Sequence, residues 1–143
     1  MNPKNIVVVF ITAKHSRKAF NYGMGLAKKF EARLTVLNIL YKEPPRFGFF
    51  ETKCDKKCME KRKAEAEKLL EEYEKSGIKS GITTKTHVVF SDPISKGILS
   101  YVNERDVDLV ILDHPKITRF EESYFANTVC DLHKGLKTPL LLL

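Results

Sequence analysis

Continuous apolar runs alternate along the chain with segments whose apolar positions recur every three or four residues. Asn5–Ile11 (NIVVVFI) is a β-branched run, the pattern of a strand covered on both faces in a parallel sheet. Ser16 then stands as an N-cap, and Ala19, Phe20, Gly23, Ala27 and Phe30 recur at helical spacing up to about Ala32. Arg33–Leu40 (RLTVLNIL) reads as a second strand, so the opening unit is β-α-β with a parallel crossover. Tyr41–Thr52, with two prolines and a glycine, reads as a loop.

A helix is expected from Lys53 to about Lys75, with Met59, Ala66, Leu69, Leu70 and Tyr73 facing inward and a C-cap at Ser76-Gly77. Thr84–Phe90 follows as a strand, and the turn Ser91-Asp92-Pro93 starts a helix from Ile94 to about Arg105, with Pro93 suited to its first turn. Asp108–Leu112, a helix over about Glu121–Lys134 and the closing Thr138–Leu143 complete the pattern. Strands and helices alternate strictly, which predicts one α/β domain over residues 1–143 built on an open, doubly wound sheet.

Composition narrows the class. With 143 residues, 43% of them hydrophobic, the chain is long enough for one sizeable core and too apolar for extended disorder. No apolar run approaches the ~18 to 20 residues that cross a bilayer, and the short apolar stretch near the N-terminus lacks a small-residue cleavage site. A cytoplasmic, unprocessed protein without a membrane partner is the expectation. Three cysteines, Cys54, Cys58 and Cys130, are too few for a disulfide framework. Gln and Trp are absent and Lys and Glu dominate the charged set, a bias associated with hyperthermophile proteins.

The chain closes on Pro139, Leu140, Leu141, Leu142 and Leu143. An exposed uncharged strand of this kind is a liability, and pairing with the same strand of a second copy, a homodimer, is the simplest solution. Cover by the chain's own helices is the alternative.

In element order and local motifs the chain resembles the universal stress protein family. The resemblance is carried by the opening strand with Thr12 and Ser16 before the first helix, LTVLNIL, Ser91-Asp92-Pro93, Asp108-Leu109-Val110 and Thr138-Pro139-Leu140. It implies a five-stranded parallel sheet in the order 3-2-1-4-5, dimerisation through the last strand and a regulatory role in stress response. Family members that bind ATP carry an Asp at the end of strand one and a G-x2-G-x9-G-[S/T] run after strand four. Here Ile11 stands at the Asp position, Asp113, Lys116 and Ala126 replace the three glycines, and Asn127 stands at the Ser/Thr. A carboxylate repels phosphate, and Cβ atoms obstruct the close backbone approach that glycine permits. The resemblance therefore implies a nucleotide site that is lost or rebuilt.

Other candidate chemistry is sparse. Neither a phosphate loop nor a dinucleotide fingerprint is present. Thr12, Lys14, Ser16, His114 and Lys116 fall at the sheet edge where open α/β folds hold ligands, either lining a small anion site or serving as a cap and solvated loop residues. His114 beside Asp113 lacks a nucleophile at a linking spacing. His15, His87 and His133 occur singly, as surface or packed histidines do.

Cys54-x3-Cys58 sets two thiols one helical turn apart, short of the four ligands zinc needs; two copies in a dimer would together supply four thiolates, and a redox pair is the other reading. Cys130 is expected on the inward face of the last helix. Phe47, Phe49 and Phe50 suit either a lid, a docking patch or a tuck onto the core. The net charge of +7 is concentrated: Lys53–Lys63 has six basic and two acidic residues, whereas Ala64–Glu74 has one basic and five acidic. That order opposes the helix macrodipole, so either a phosphate-bearing ligand or polyanion is attracted there, or the face is merely solvated.

The expected function is a non-catalytic, homodimeric regulatory or interaction protein with a degenerate nucleotide site, no metal and no cofactor, acting on an unidentified protein partner. The alternative is a sensor that binds a nucleotide or other anion at the ends of strands one and four. Nucleotide hydrolysis finds no metal-carboxylate cluster, and nucleic-acid binding finds no recognised RNA-binding run.

Overall fold

Residues 6–10 of the first strand, β1 (Asn5–Ile11), are all buried, because helices cover both of its faces and each face requires apolar side chains. The structure is a computed structural model that describes residues 2–45, 48, 51–113 and 119–143. After β1 come α1 (Arg17–Phe30), β2 (Arg33–Tyr41), α2 (Lys53–Lys79), β3 (Thr84–Ser91), α3 (Ile94–Asn103), β4 (Leu109–Leu112), α4 (Arg119–Gly135) and β5 (Leu140–Leu142). All strands pair in parallel in the order β3-β2-β1-β4-β5, the expected doubly wound sheet.

Alternate residues of β1 feed two cores. Ile6, Val8 and Phe10 pack with Ala19 and Phe20 of α1 and with Leu70 and Tyr73 of α2. Val7 and Val9 pack with Ile94 and Ile98 of α3 and with Phe125 and Leu132 of α4. Helices α1 and α2 therefore cover one face of the sheet, α3 and α4 the other.

Four expectations are corrected. The second helix does not stop at Ser76-Gly77 but runs to Lys79, with Ser80 as C-cap. Gly77 is buried because the helix crosses close to Thr84: a Cβ at this position would collide with the Thr84 side chain. The glycine that ends the segment is Gly81, at φ +80, a left-handed conformation that costs glycine little. Leu69 is 59% exposed, since the buried stripe is Ala66, Leu70, Tyr73 and Gly77 and Leu69 sits about 100° around the helix from Leu70. Cys130 is exposed as well: among the described residues of α4 the buried positions are Phe125, Thr128 and Leu132. Pro93 is the N-cap of α3 rather than a residue of its first turn, and the Ile94 N–H instead donates to the Tyr124 hydroxyl at 3.2 Å.

Helix α2 outgrows the sheet. Its 27 residues span about 40 Å, whereas the eight residues of β3 span about 26 Å. Arg62 marks the sheet's C-terminal edge, with Nη1 donating to the Tyr41 carbonyl at 3.1 Å and the guanidinium 5.4 Å from the Phe90 ring centre. Residues 53–61 lie beyond that edge, and none of them is buried. A capping box, Thr52 with Asp55, fixes the start of this overhang.

In the middle of β3, His87 lies 5.6 Å from the Tyr101 ring of α3. Burial, followed by Arg105 and Lys85, lowers its pKa below 6.5, so the unfolded chain takes up this proton first. Stability from His87 is complete above about pH 6.5 and declines as pH falls through the folded value. Thermal scans between roughly pH 7 and pH 5 should show a shallower acid-side decline for His87→Gln than for wild type; superimposable profiles would remove His87 as the cause.

Candidate functional site

Strand order reverses at β1, with β2 on one side and β4 on the other, and the crevice beyond their C-terminal ends is the ligand position of open α/β sheets. Ser16 occupies it. As N-cap of α1, its Oγ accepts from the Ala19 N–H at 3.0 Å and donates to Asp113 Oδ2 at 2.5 Å. Asp113 directly follows β4, so this bond ties the two sides of the crevice together. The first turn of α1 contains no acidic residue. The Asp113 carboxylate thus supplies the negative charge that the positive end of α1 favours, and it stands where an incoming anion would profit from the same dipole.

The turn after β1 is held from β2. Thr12 adopts φ 53, its N–H donating to the Ile39 carbonyl at 2.7 Å. Fully buried Asn38 sends its amide nitrogen to the carbonyls of Phe10 at 3.1 Å and Thr12 at 2.8 Å. With that nitrogen committed to two acceptors, Asn38 Oδ1 is the acceptor toward His15 Nε2 at 2.9 Å, and the histidine carries its proton on Nε2. The imidazole stacks on Phe10, with centroids 4.9 Å apart, and meets the Tyr73 edge at 5.8 Å. Arg17 caps the stack, 4.7 Å from the Tyr73 ring centre and 3.1 Å from Glu72 Oε1. Burial raises the Tyr73 phenol pKa, Arg17 opposing and Glu72 reinforcing the shift.

The expected site residues separate into groups. Ile11, Thr12, Ser16 and Asp113 converge on the crevice, half-buried. Ile11 packs toward the α3/α4 core, and the Lys14 side chain is exposed from the same turn. Ala126 and Asn127 are exposed on α4, and no hydrogen bond among the described residues joins them to Ser16 or Asp113. His114, Lys116, Phe47, Phe49 and Phe50 lie outside the described residues. Among the described residues there is no cluster of three or more His, Cys, Asp and Glu suited to a metal.

The universal stress protein family profile matches residues 2–143. The chain belongs to the universal stress protein family. A curated relative from Staphylococcus haemolyticus that bears the family's name is 28% identical over 109 residues, covering 76% of this chain and 64% of that protein, so the match spans somewhat under two thirds of the relative's length. Universal stress protein UspA from Lactobacillus plantarum superposes with a TM-score of 0.81 at 15% identity, covering 98% of this chain and 97% of that one. A universal stress protein from Archaeoglobus fulgidus, solved in complex with dAMP, gives a TM-score of 0.63 at 16% identity over 99% and 98% of the two chains. These likenesses establish the universal stress protein fold.

Sequence reasoning missed Asn38, His15, Arg17 and Tyr73 as members of one network. Asn38 had a signal: it is the one amide in the otherwise apolar stretch 36–40, and a buried amide must find partners.

Proposed function

We propose that this universal stress protein is a non-catalytic, homodimeric regulatory or interaction module whose crevice between β1 and β4 no longer takes a nucleotide. The Ser16–Asp113 hydrogen bond carries the reading: the chain's own carboxylate stands at the anion-favouring helix end, and phosphate would meet like charge. The Ser16 hydroxyl is engaged in capping α1 and in bonding Asp113, which is a structural role. Three free, exposed thiols fit a cytoplasmic, reducing setting. No helix among the described residues is long and apolar enough to cross a membrane.

The dimer reading rests on β5. Leu140 and Leu142 line a groove of about 470 Å³ with Val129, Leu132 and Leu136, and Leu142 is 45% exposed. This is an apolar strip on an open sheet edge, suited to the same strip of a second copy.

Thermal shift with AMP, dAMP, ADP and ATP tests the nucleotide claim. Wild type should not respond at millimolar nucleotide, whereas Asp113→Gly should bind AMP at least tenfold more tightly. A ligand at ~100 times its dissociation constant adds about 2.7 kcal/mol, so a rise of several degrees in wild type would overturn the reading. It would favour a nucleotide sensor instead, a second reading supported by the likeness to the dAMP complex and by the basic start of α2 at the same sheet edge.

A further inference from the structure

Cys54 and Cys58 are free, exposed and one turn apart on the α2 overhang. Exposed thiols in an uncovered helix are unusual, since free cysteine is among the most buried residue types. Neither contributes to a core, so packing does not account for them. Residues four apart on a helix have Cβ atoms about 5–6 Å apart. Two thiolate–metal bonds of roughly 2.3 Å, the length of a zinc–thiolate bond, put the sulfurs at most about 4.6 Å apart, within reach of two side chains leaning together. The capping box of Thr52 and Asp55 fixes the helical turn that bears them, so the pair is largely set before a ligand arrives.

We propose that Cys54 and Cys58 form a surface site for copper(I), bound two-coordinate by both sulfurs. The donor number selects the metal. Structural zinc takes four ligands and iron–sulfur clusters four cysteines, while the described residues offer no group of three suitable donors. A soft d10 monocation is satisfied by two thiolates, and thiolate softness selects copper(I) over hard cations.

Charge supports the same ion. A copper(I) ion with two thiolates carries one net negative charge. Lys57 follows Cys54 by three positions and Lys61 follows Cys58 by three, helical neighbours of the two sulfurs, while Arg62 is turned to the Tyr41 carbonyl and the Phe90 ring. Neither Lys57 nor Lys61 forms an ion pair among the described residues. Part of the basic run that works against the α2 macrodipole, Lys57 and Lys61, thus flanks an anionic complex. As each S–Cu bond forms, its S–H bond breaks and the proton passes to solvent. Copper keeps its oxidation state, so no oxidant or reductant is consumed.

The test is an anaerobic competition of the full chain against the copper(I) chelator bicinchoninate, with X-ray absorption on the loaded protein. Wild type and Cys130→Ser should each withdraw one copper(I) per chain, with two sulfur neighbours at the metal. Cys54→Ser and Cys58→Ser should each weaken binding at least 100-fold, with far-ultraviolet spectra and melting temperatures unchanged because both positions are exposed. Failure of wild type to compete, retention of binding in either single variant, or one metal per two chains with three or four sulfur neighbours would overturn the assignment.

Discussion

Replacing Asn38 by leucine should lower stability by about 3 kcal/mol, a drop of roughly 10 °C in melting temperature for a chain of this size. Asn38 is fully buried and makes three hydrogen bonds, two to carbonyls of β1 and its turn and one with His15. Leucine fills the volume but leaves two carbonyls short of their donor, and each unsatisfied buried group costs about 1–3 kcal/mol. The penalty is partly local strain. Thr12 holds a left-handed backbone, which for a non-glycine residue costs roughly 1–2 kcal/mol, and the Asn38 amide bonds its carbonyl directly. Thr12→Gly should therefore stabilise the wild-type chain slightly, and Asn38→Leu should cost about 0.5 kcal/mol less on that background. Chemical denaturation of the four proteins in the cycle measures both terms. A cost for Asn38→Leu within 0.5 kcal/mol of zero, the range of an ordinary surface substitution, would show that the amide is not the clasp of the turn.

The strands were legible because a doubly covered parallel sheet writes itself as unbroken apolar runs, and β1 falls on Asn5–Ile11 as the pattern requires. Helix ends were less so. Gly77 has the chemistry of a stop signal, and only the approach of α2 to Thr84, a tertiary fact, reveals that its missing side chain serves packing. Leu69 and Cys130 look inward by composition, yet helix phase sets them outside the buried stripes. In the crevice, Ser16 was readable as an N-cap from its own neighbourhood. Its bond to Asp113 was not, since 97 residues separate the two and only the β1–β4 pairing brings them together. The glycine replacements were visible in the chain, but the partner taken by the replacing carboxylate had to come from the fold.

Leu142→Glu should convert the proposed dimer to monomer, weakening self-association at least 100-fold. The Leu143 N–H donates to the Leu112 carbonyl, and the Pro139 carbonyl accepts from the Val110 N–H. Backbone groups alternate along a strand, so those of Leu140 and Leu142 point to the open edge of β5, where buried pairing would require a partner. Leu141 and Leu143 pack on the α1/α2 core, and Leu140 on the α3/α4 core, which leaves Leu142 as the exposed leucine of this strand. Burying a leucine side chain is worth about 1.5–3 kcal/mol, and two-fold symmetry counts the substitution twice, so about 3 kcal/mol or more is lost, over 100-fold in dissociation constant. Light scattering after size exclusion reads the mass, and Leu69→Glu, exposed on the far side of the sheet on α2, is the control that should remain dimeric. A wild-type chain that runs as a monomer, or a Leu142→Glu chain that keeps the dimeric mass, would remove β5 as the interface and assign its apolar groove to some other occupant.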